Sequence, residues 1–278
     1  MTPRHALVLL TPLAAVHLAA FVWPLAGLVG MSFRETRDGG VLTSAVSTAN
    51  YTAFATDPAS LELIGSSLWL SATVTLGALV CAYPLALFLH GLPRRWQAAC
   101  FALTIAPLLV SSVVRTYGWM ALLGNQGPVN DALMRLGLVT APLRLVNNLT
   151  GVWIGLVEIL MPFMTLSLLA GFGRLDPACE EAAASLGANR LQRFRRIVFP
   201  LTLPGVALGC GLTFVLAMSS FITPKLLGGG RVFLLATEIY DLAMARLEWP
   251  AAAATAVIVL ASLALGMTAY TTLLRRLG

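Results

Sequence analysis

Long apolar runs alternate with short polar segments along the whole chain. Runs of roughly 20 or more predominantly apolar residues can cross a bilayer as helices, and the sequence contains six of them. The polar blocks between these runs are too short to form a separate soluble domain. The pattern therefore predicts an all-α, polytopic membrane protein with a single transmembrane domain over residues 1–278. The six predicted spans lie near residues 6–33, 63–90, 96–123, 149–173, 198–223 and 250–274.

Prolines inside these runs affect the expected shape of the helices. Pro84, Pro107 and Pro162 lie within spans, where membrane helices tolerate proline because neighbouring groups satisfy the freed carbonyls. Kinked helices are therefore expected. The first run extends from about Ala6 to Phe33, beyond the roughly 7 to 15 apolar residues of a secretory signal peptide. We expect it to be retained as the first span.

The distribution of charge predicts the orientation of the spans. Six spans put both termini on one side of the membrane. If that side is the cytoplasm, ten of the 18 basic residues but only three of the 12 acids lie inside. This excess agrees with the positive-inside rule. The sequence therefore predicts cytoplasmic termini, and it places residues 176–200, between spans four and five, in the cytoplasm.

Composition excludes several classes of function. Hydrophobic residues occupy 58% of the 278 positions and the mean hydropathy is +0.84, which is too apolar for a soluble domain. The net charge of +6 comes from short arginine clusters between spans, which set topology, so no nucleic acid partner is expected. The only lysine is Lys225, so the chain has no phosphate-binding loop of the GxxxxGK[ST] type.

Histidine and cysteine patterns indicate neither catalysis nor metal binding. His5, His17 and His90 are far apart in sequence, and the four cysteines show no CxxC spacing. We therefore expect no catalytic residues, no metal site and no cofactor in this chain. Any ATP must be used by another subunit.

Residues 176–200 form an unusually polar segment with its own helix signals. Asp176 followed by Pro177 is typical of a helix start, because the carboxylate can accept from free amides and the proline φ suits the first helical position. Gly187 can adopt the positive φ that ends a helix, and Asn189 can cap a second helix that carries four arginines. On physical grounds alone, an amphipathic segment on anionic lipid explains this pattern equally well.

The same segment resembles the EAA loop of ABC importer permeases, written EAA-x3-G-x9-I-x-LP. In that family the loop forms coupling helices that sit in a cleft of the cytoplasmic ATPase. The resemblance implies that residues 176–200 are an ATPase-coupling loop. Phe199 is a departure, since the family usually has leucine there. The matching positions are Glu181, Ala182, Ala183, Gly187, Ile197 and Pro200.

The resemblance covers most of the chain and looks most like the spermidine/putrescine permease branch of type I importers. It implies the type I ABC importer permease fold, a bacterial inner-membrane location and ATP-driven import of a small organic solute, foremost a polyamine, by alternating access. The matching stretches are NYTAF (50–54), AYPLALFL (82–89), VRTYGWMALLGNQGPVN (114–130), MPF (161–163), FPLTLPG (199–205) and FITPKLLGGG (221–230).

The resemblance also implies partners: a second, related permease, two ABC ATPase subunits and a periplasmic or lipoprotein substrate-binding protein. Two alternative functions stay open. Relatives in this branch carry other small solutes, so an amino-acid-like compound or a phosphonate could replace the polyamine. Six spans alone would also suit a passive channel or a structural membrane subunit, although neither needs an ATPase-docking helix.

Two charged residues inside spans are candidates for the translocation path. Glu158 lies roughly 14 Å into span four, where an acid costs about 2.5 to 3.5 kcal/mol, so it should face a polar path or a partner. It could attract a cationic solute, or it could be a protonated acid bonded to a neighbouring helix. Arg115 lies near the outer end of span three, where its side chain can extend to the interface, with a gate role as the alternative.

Aromatic and glycine residues add further candidates. Tyr117 and Trp119 could offer cation–π surfaces along the path, or they could anchor their span at the membrane interface. Glycines 228–230, beside Arg231, predict a flexible loop, with a gate or a binding-protein contact as the alternative.

Overall fold

The computed structural model describes residues 11–12, 15–37, 41–173 and 175–277, which are helical over most of their length. The helices are α1 (Ala15–Ser32), α2 (Ala49–Thr56), α3 (Pro58–Gly91), α4 (Arg94–Ile105), α5 (Ser112–Leu123), α6 (Pro128–Arg135), α7 (Leu149–Phe172), α8 (Pro177–Ser185), α9 (Arg190–Met218), α10 (Ile222–Leu227), α11 (Leu235–Tyr240) and α12 (Trp249–Leu277).

Five of these helices, α1, α3, α7, α9 and α12, are long and apolar enough to cross a membrane, counting described residues alone. They correspond to predicted spans one, two, four, five and six. Residues 6–10 of the first predicted span lie outside the described residues. The third predicted span corresponds to a bent pair of helices that makes a sixth crossing if the pair is one span. The prediction of an all-α, polytopic membrane fold is confirmed.

The third span is broken, whereas the sequence predicted one continuous run at 96–123. Segments 94–109 and 112–135 meet at an angle of 96°. Helix α4 passes into a 3₁₀ turn at Ala106–Leu109, Val110 is extended, and Ser111 also leaves the helical region, with a ψ of 135° at both residues. Pro107 lies in this turn, where its missing N–H and fixed φ prevent a regular helix. The predicted kink at Pro107 is confirmed, and the bend of 96° is larger than a kink within one continuous helix.

A β-hairpin follows α1 and was not predicted. Strand β1 (Arg34–Arg37) pairs antiparallel with β2 (Val41–Val46), with Arg34 opposite Val46. The Asn50 side chain donates to the carbonyl oxygens of Ser32 and Arg34 at 3.1 and 2.8 Å, so it holds the end of α1 beside α2. These strands are too short for their alternation to be recognised against the surrounding loop.

The chain divides into two compact units. One comprises Met1–Glu62 and Glu238–Leu265, and the other comprises Leu63–Thr237 and Gly266–Gly278. The first contains the hairpin and an ion pair at 3.5 Å between Arg246 Nη1 and Glu238 Oε1. The second contains α3 from Leu63 onwards, α4 to α10 and the residues discussed below. The single membrane domain expected from the sequence stays a prediction.

Helices α7 and α9 approach each other closely at a pair of glycines. A Cβ added to Gly205 would lie 2.8 Å from Gly171 Cα and 3.0 Å from the Ser167 carbonyl oxygen. Small residues at such crossings let membrane helices gain dispersion energy and backbone contacts that larger side chains would prevent. On the same side of α7, Met164, Leu168 and Phe172 are fully buried. At this crossing the backbones of α7 and α9, which bear most of the residues discussed below, are therefore in close contact.

The glycines after α10 are packed, contrary to the flexible loop expected from the sequence. Gly229 has a φ of 56°, and a Cβ there would clash with the Asn147 side chain. The backbone N–H of Asn147 donates to the Leu227 carbonyl oxygen at 2.7 Å. A Cβ at Gly228 would lie 2.9 Å from Val232 Cβ. Glycine is needed here because two loops meet, and only at Gly230 is the neighbouring space open.

Candidate functional site

Helix α8 in the predicted coupling loop begins and ends where the sequence signals lie. Asp176 Oδ1 accepts from the Ala178 amide at 2.9 Å, which caps the first turn. At the other end Gly187 has a φ of +85°. Its amide donates to the Ala184 carbonyl oxygen, and the Ala188 amide donates to that of Ala183, each at 3.0 Å. This pair of bonds is a Schellman motif, so the predicted helix start and stop are both confirmed.

The second helix of the loop begins at the predicted cap but does not end before the membrane span. Asn189 and Gln192 form a reciprocal capping box, with bonds of 2.8 and 2.9 Å. Helix α9 then continues without a break to Met218, through a π-helical turn at Phe194–Val198. Pro200, expected to mark the entry to span five, lies inside this helix. The four arginines are therefore on the same rigid element as the fifth span.

The structure brings part of the predicted coupling set together in a groove. Ala183 and Gly187 line one side of it, and Ile197 lines the other. Leu186 also lines it, although its side chain is 89% exposed. Of the remaining predicted residues, Glu181, Ala182 and Pro200 are exposed and lie outside the groove.

An aromatic cluster, which the sequence did not predict, joins the loop to three spans. Tyr83 of α3 lies with its hydroxyl 2.9 Å from Thr202 Oγ1 on α9. Its ring centroid is 5.7 Å from that of Phe172 at the end of α7, and 5.9 and 6.1 Å from those of Phe194 and Phe199. Offset and edge-to-face contacts of this kind stabilise aromatic pairs beyond the area they bury. The base of the loop is therefore held on α3, α7 and α9 together.

Three of the four predicted path residues meet at Glu158, the tenth residue of the 24-residue helix α7. Arg115 Nη1 lies 3.4 Å from Glu158 Oε1, and Trp119 Nε1 donates to Glu158 Oε2 at 3.0 Å. Arg115 and Trp119 are four residues apart, so α5 presents them on one face. Both carboxylate oxygens thus accept from the same neighbouring helix.

This geometry corrects one expectation about the path residues. Arg115 was expected to extend to the membrane interface, but its side chain is 12% exposed and is directed towards Glu158. Tyr117 is 56% exposed on another face of α5 and does not join the cluster. Glu158 itself is 31% exposed and has a charged partner as well as a hydrogen-bond donor. Glu158 therefore contacts a neighbouring helix, and whether it attracts a cationic solute or is a protonated acid bonded to that helix stays a prediction.

The short helix α10 sets the rotation of α5 against α7. Thr223 Oγ1 of α10 lies 3.1 Å from Thr116 Oγ1 of α5. On the other side, a Cβ added to Gly155 of α7 would lie 2.9 Å from Leu227 Cδ1 and 3.2 Å from Thr223 Cγ2. Helix α10 is therefore wedged between the two, and the residues that follow Thr116 along α5 are fixed relative to α7.

The pairing of Arg115 with Glu158 was missed although a signal for it existed. Charged residues inside membrane spans pair with one another because an unpaired charge is costly in hydrocarbon. The sequence offers an arginine and a glutamate inside adjacent spans, 43 positions apart. The presence of both an arginine and a glutamate inside neighbouring spans was therefore a signal for an ion pair between them.

Comparison with known proteins agrees with these features. A family model described as "Binding-protein-dependent transport system inner membrane component" matches residues 81–278. The chain is 35% identical over 254 residues to the spermidine/putrescine transport system permease protein PotB of Escherichia coli (strain K12), covering 91% of this chain and 92% of that protein. It is 34% identical over 223 residues to PotB of Haemophilus influenzae, covering 80% and 78%.

Solved structures of ABC importers share the fold. The structure of a bacterial ABC transporter for import of the acidic polysaccharide alginate contains a chain with a TM-score of 0.76 and 19% identity, covering 98% of this chain and 95% of that one. An inward-facing MetNI methionine ABC transporter contains one with a TM-score of 0.59 and 14% identity, covering 78% and 95%. The type I importer permease fold predicted from the sequence is confirmed. The relatives are permeases by name, so a permease subunit, and neither an enzyme nor a passive channel, is confirmed as well. This chain belongs to the family of binding-protein-dependent transport system inner membrane components, as a multi-pass permease subunit of an ABC importer.

Proposed function

We propose that this chain is one of two related permease subunits of an importer that carries polyamines such as spermidine and putrescine. The observation that carries the proposal is the 35% identity to a spermidine/putrescine permease over 91% of the chain. A partly exposed carboxylate at mid-span, that of Glu158, supports a cationic solute if this face of α7 lines the path.

The energy for import comes from two ABC ATPase subunits, one of which docks on the loop of residues 176–200, the one docking site that this chain supplies. The groove between α8 and the start of α9 supports this role, because small residues and the turn at Gly187 let a partner approach the backbone. Closure of the ATPases on ATP draws the coupling loops together and opens the bundle outward. A periplasmic or lipoprotein substrate-binding protein then delivers the solute, and the permease changes access without chemistry.

The proposed substrate can be tested by ATP-driven uptake. Proteoliposomes that contain the assembled permease pair and ATPase, with ATP inside and the binding protein outside, are expected to accumulate labelled spermidine or putrescine. Liposomes with a non-hydrolysable ATP analogue serve as the control and should accumulate neither. Accumulation of an amino acid or a phosphonate, with no uptake of either polyamine, would overturn the polyamine assignment and leave the permease assignment intact.

The proposed orientation, with both termini and the coupling loop in the cytoplasm, rests on the excess of basic residues in the segments assigned to that side. Single cysteines at Ser47 and Thr140 are expected to react with an impermeant thiol reagent added to intact cells. A cysteine at the exposed Gln192 should react only after the cells are permeabilised.

The four native cysteines are replaced by alanine for this experiment, since each is a free thiol. Thr140 and Gln192 form the matched comparison, because both are exposed loop or helix-start positions. Reaction at Gln192 in intact cells would reverse the orientation and remove the coupling loop from the cytoplasm.

A further inference from the structure

The ion pair between Arg115 and Glu158 is incompletely bonded. Its single contact is 3.4 Å, whereas charge-assisted N–H···O bonds are usually about 2.7–2.9 Å. Arg115 Nε is buried and has no hydrogen-bond partner among the described residues. A guanidinium has five N–H donors, and a buried donor left unpaired costs free energy. The arginine side of the pair is therefore held by one long contact, and one of its buried donors stays unsatisfied.

The carboxylate side is held more firmly. Trp119 Nε1 donates to Glu158 Oε2 at 3.0 Å, an ordinary hydrogen-bond length, and this bond does not involve Arg115. Within the part of the chain that the structure describes, Glu158 Oε1 accepts from Arg115 alone. If Arg115 moves away, Trp119 still fixes the carboxylate, and Oε1 becomes free to accept from another donor.

The side chain of Glu158 is more exposed than that of Arg115. The Glu158 side chain is 31% exposed and that of Arg115 is 12% exposed. In the isolated subunit the carboxylate is therefore the more accessible member of the pair. With the pair formed, the two residues carry no net formal charge, so the site presents little attraction for a passing monovalent cation.

From this geometry we propose that Arg115 is a built-in competitor for Glu158, which an ammonium group of the solute displaces at Oε1 during transport. An alkylammonium brings three N–H donors to replace the guanidinium bond, whereas Na⁺ and K⁺ bring none. The exchange therefore selects alkylammonium solutes over inorganic cations. This inference rests on the proposed polyamine function and deepens it by assigning a specificity-determining role to Arg115.

Removal of Arg115 should strengthen the binding of spermidine at Glu158. The size of the effect depends on the fraction of time for which Arg115 and Glu158 are paired. If Glu158 is free of Arg115 for about one tenth of the time, the apparent affinity is reduced about tenfold relative to an unopposed carboxylate. Arg115→Gln is therefore expected to lower the Kd for spermidine about tenfold. Arg115→Lys keeps a competing cation and should remain within about twofold of wild type by the same reasoning.

The experiment is equilibrium binding of labelled spermidine to the assembled permease–ATPase complex in nanodiscs, without the binding protein. Arg115→Gln should bind more tightly than wild type, and NaCl should inhibit this variant more strongly than the chloride of tetraethylammonium, a bulky quaternary cation without N–H donors, at equal ionic strength. The double variant Arg115→Gln/Glu158→Gln should bind more weakly than wild type. Arg135→Gln is the matched control, since Arg135 forms an exposed pair at 3.7 Å with Asp131, and its Kd should not change.

A purely structural ion pair gives a different set of results. Each single Gln variant would then yield less assembled complex, the double variant would recover it, and the Kd per assembled complex would equal that of wild type. That outcome overturns the proposed competition and leaves polyamine transport standing. Absence of spermidine and putrescine uptake by wild-type proteoliposomes would instead overturn the proposed function, and the role of Arg115 with it.

Discussion

Replacement of Gly205 by valine is expected to prevent stable assembly of the permease. The Cβ of the new side chain would lie 2.8 Å from Gly171 Cα and 3.0 Å from the Ser167 carbonyl oxygen. Both of these are backbone atoms. Backbone cannot turn aside as a side chain can, so α7 and α9 must separate along the crossing. Overpacking of a well-packed core costs about 1–3 kcal/mol, and loss of the shared contacts along both helices adds to it.

The measurement is the yield of monodisperse complex in mild detergent together with its Tm. Gly65→Val is the matched control, because Gly65 is also helical and a Cβ there meets nothing within 4 Å. The control carries the same change in helix propensity and should keep a near-wild-type Tm. Equal Tm values for the two variants would show that the glycine crossing does not limit stability.

Replacement of Gly187 by aspartate is expected to uncouple ATP hydrolysis from solute binding while leaving the chain folded. Aspartate tolerates a positive φ better than most residues, and a Cβ at Gly187 meets nothing within 4 Å in this chain. The new carboxylate would lie in the groove proposed to receive the ATPase, so it would occupy space that the docked ATPase needs. Substrate-stimulated ATP hydrolysis should fall by about tenfold or more, a loss of about 1.4 kcal/mol in coupling.

Gly137→Asp is the control for this change. Gly137 has a φ of +68° and open space around its Cβ, so the backbone strain is matched and only the location differs. ATP hydrolysis by both variants is measured in proteoliposomes, normalised to assembled complex. Wild-type stimulation in Gly187→Asp would remove this turn from the proposed docking surface.

Signals carried by adjacent residues were predicted well. The start of α8 at Asp176, its end at Gly187 and the cap at Asn189 each depend on hydrogen bonds within a few residues, so the sequence contains the whole cause. The long apolar helices were predicted for a similar reason, because only a run of that composition is stable as a single crossing.

Features that depend on distant residues were not predicted. The contact between Arg115 and Glu158 requires a particular rotation of α5, which is set by α10 more than a hundred positions later. The 96° bend in the third span was predicted as a kink at Pro107, but not its size, which also depends on Val110 and Ser111 leaving the helical region. Tertiary packing sets the rotation of α5, so periodicity and composition do not contain it.

The unbroken course of α9 makes the loop and the fifth span one lever. At about 1.5 Å per residue, the arm from Arg190 to the Gly205 crossing is about 23 Å long, and the arm from Gly205 to Met218 is about 20 Å long. The two arms are nearly equal, and the crossing with Gly171 is the point at which side chains are absent. A partner that moved the loop by a few ångströms would tilt α9 about the glycine crossing, and because Tyr83 packs on Phe194 and Phe199, α3 would have to move with the loop.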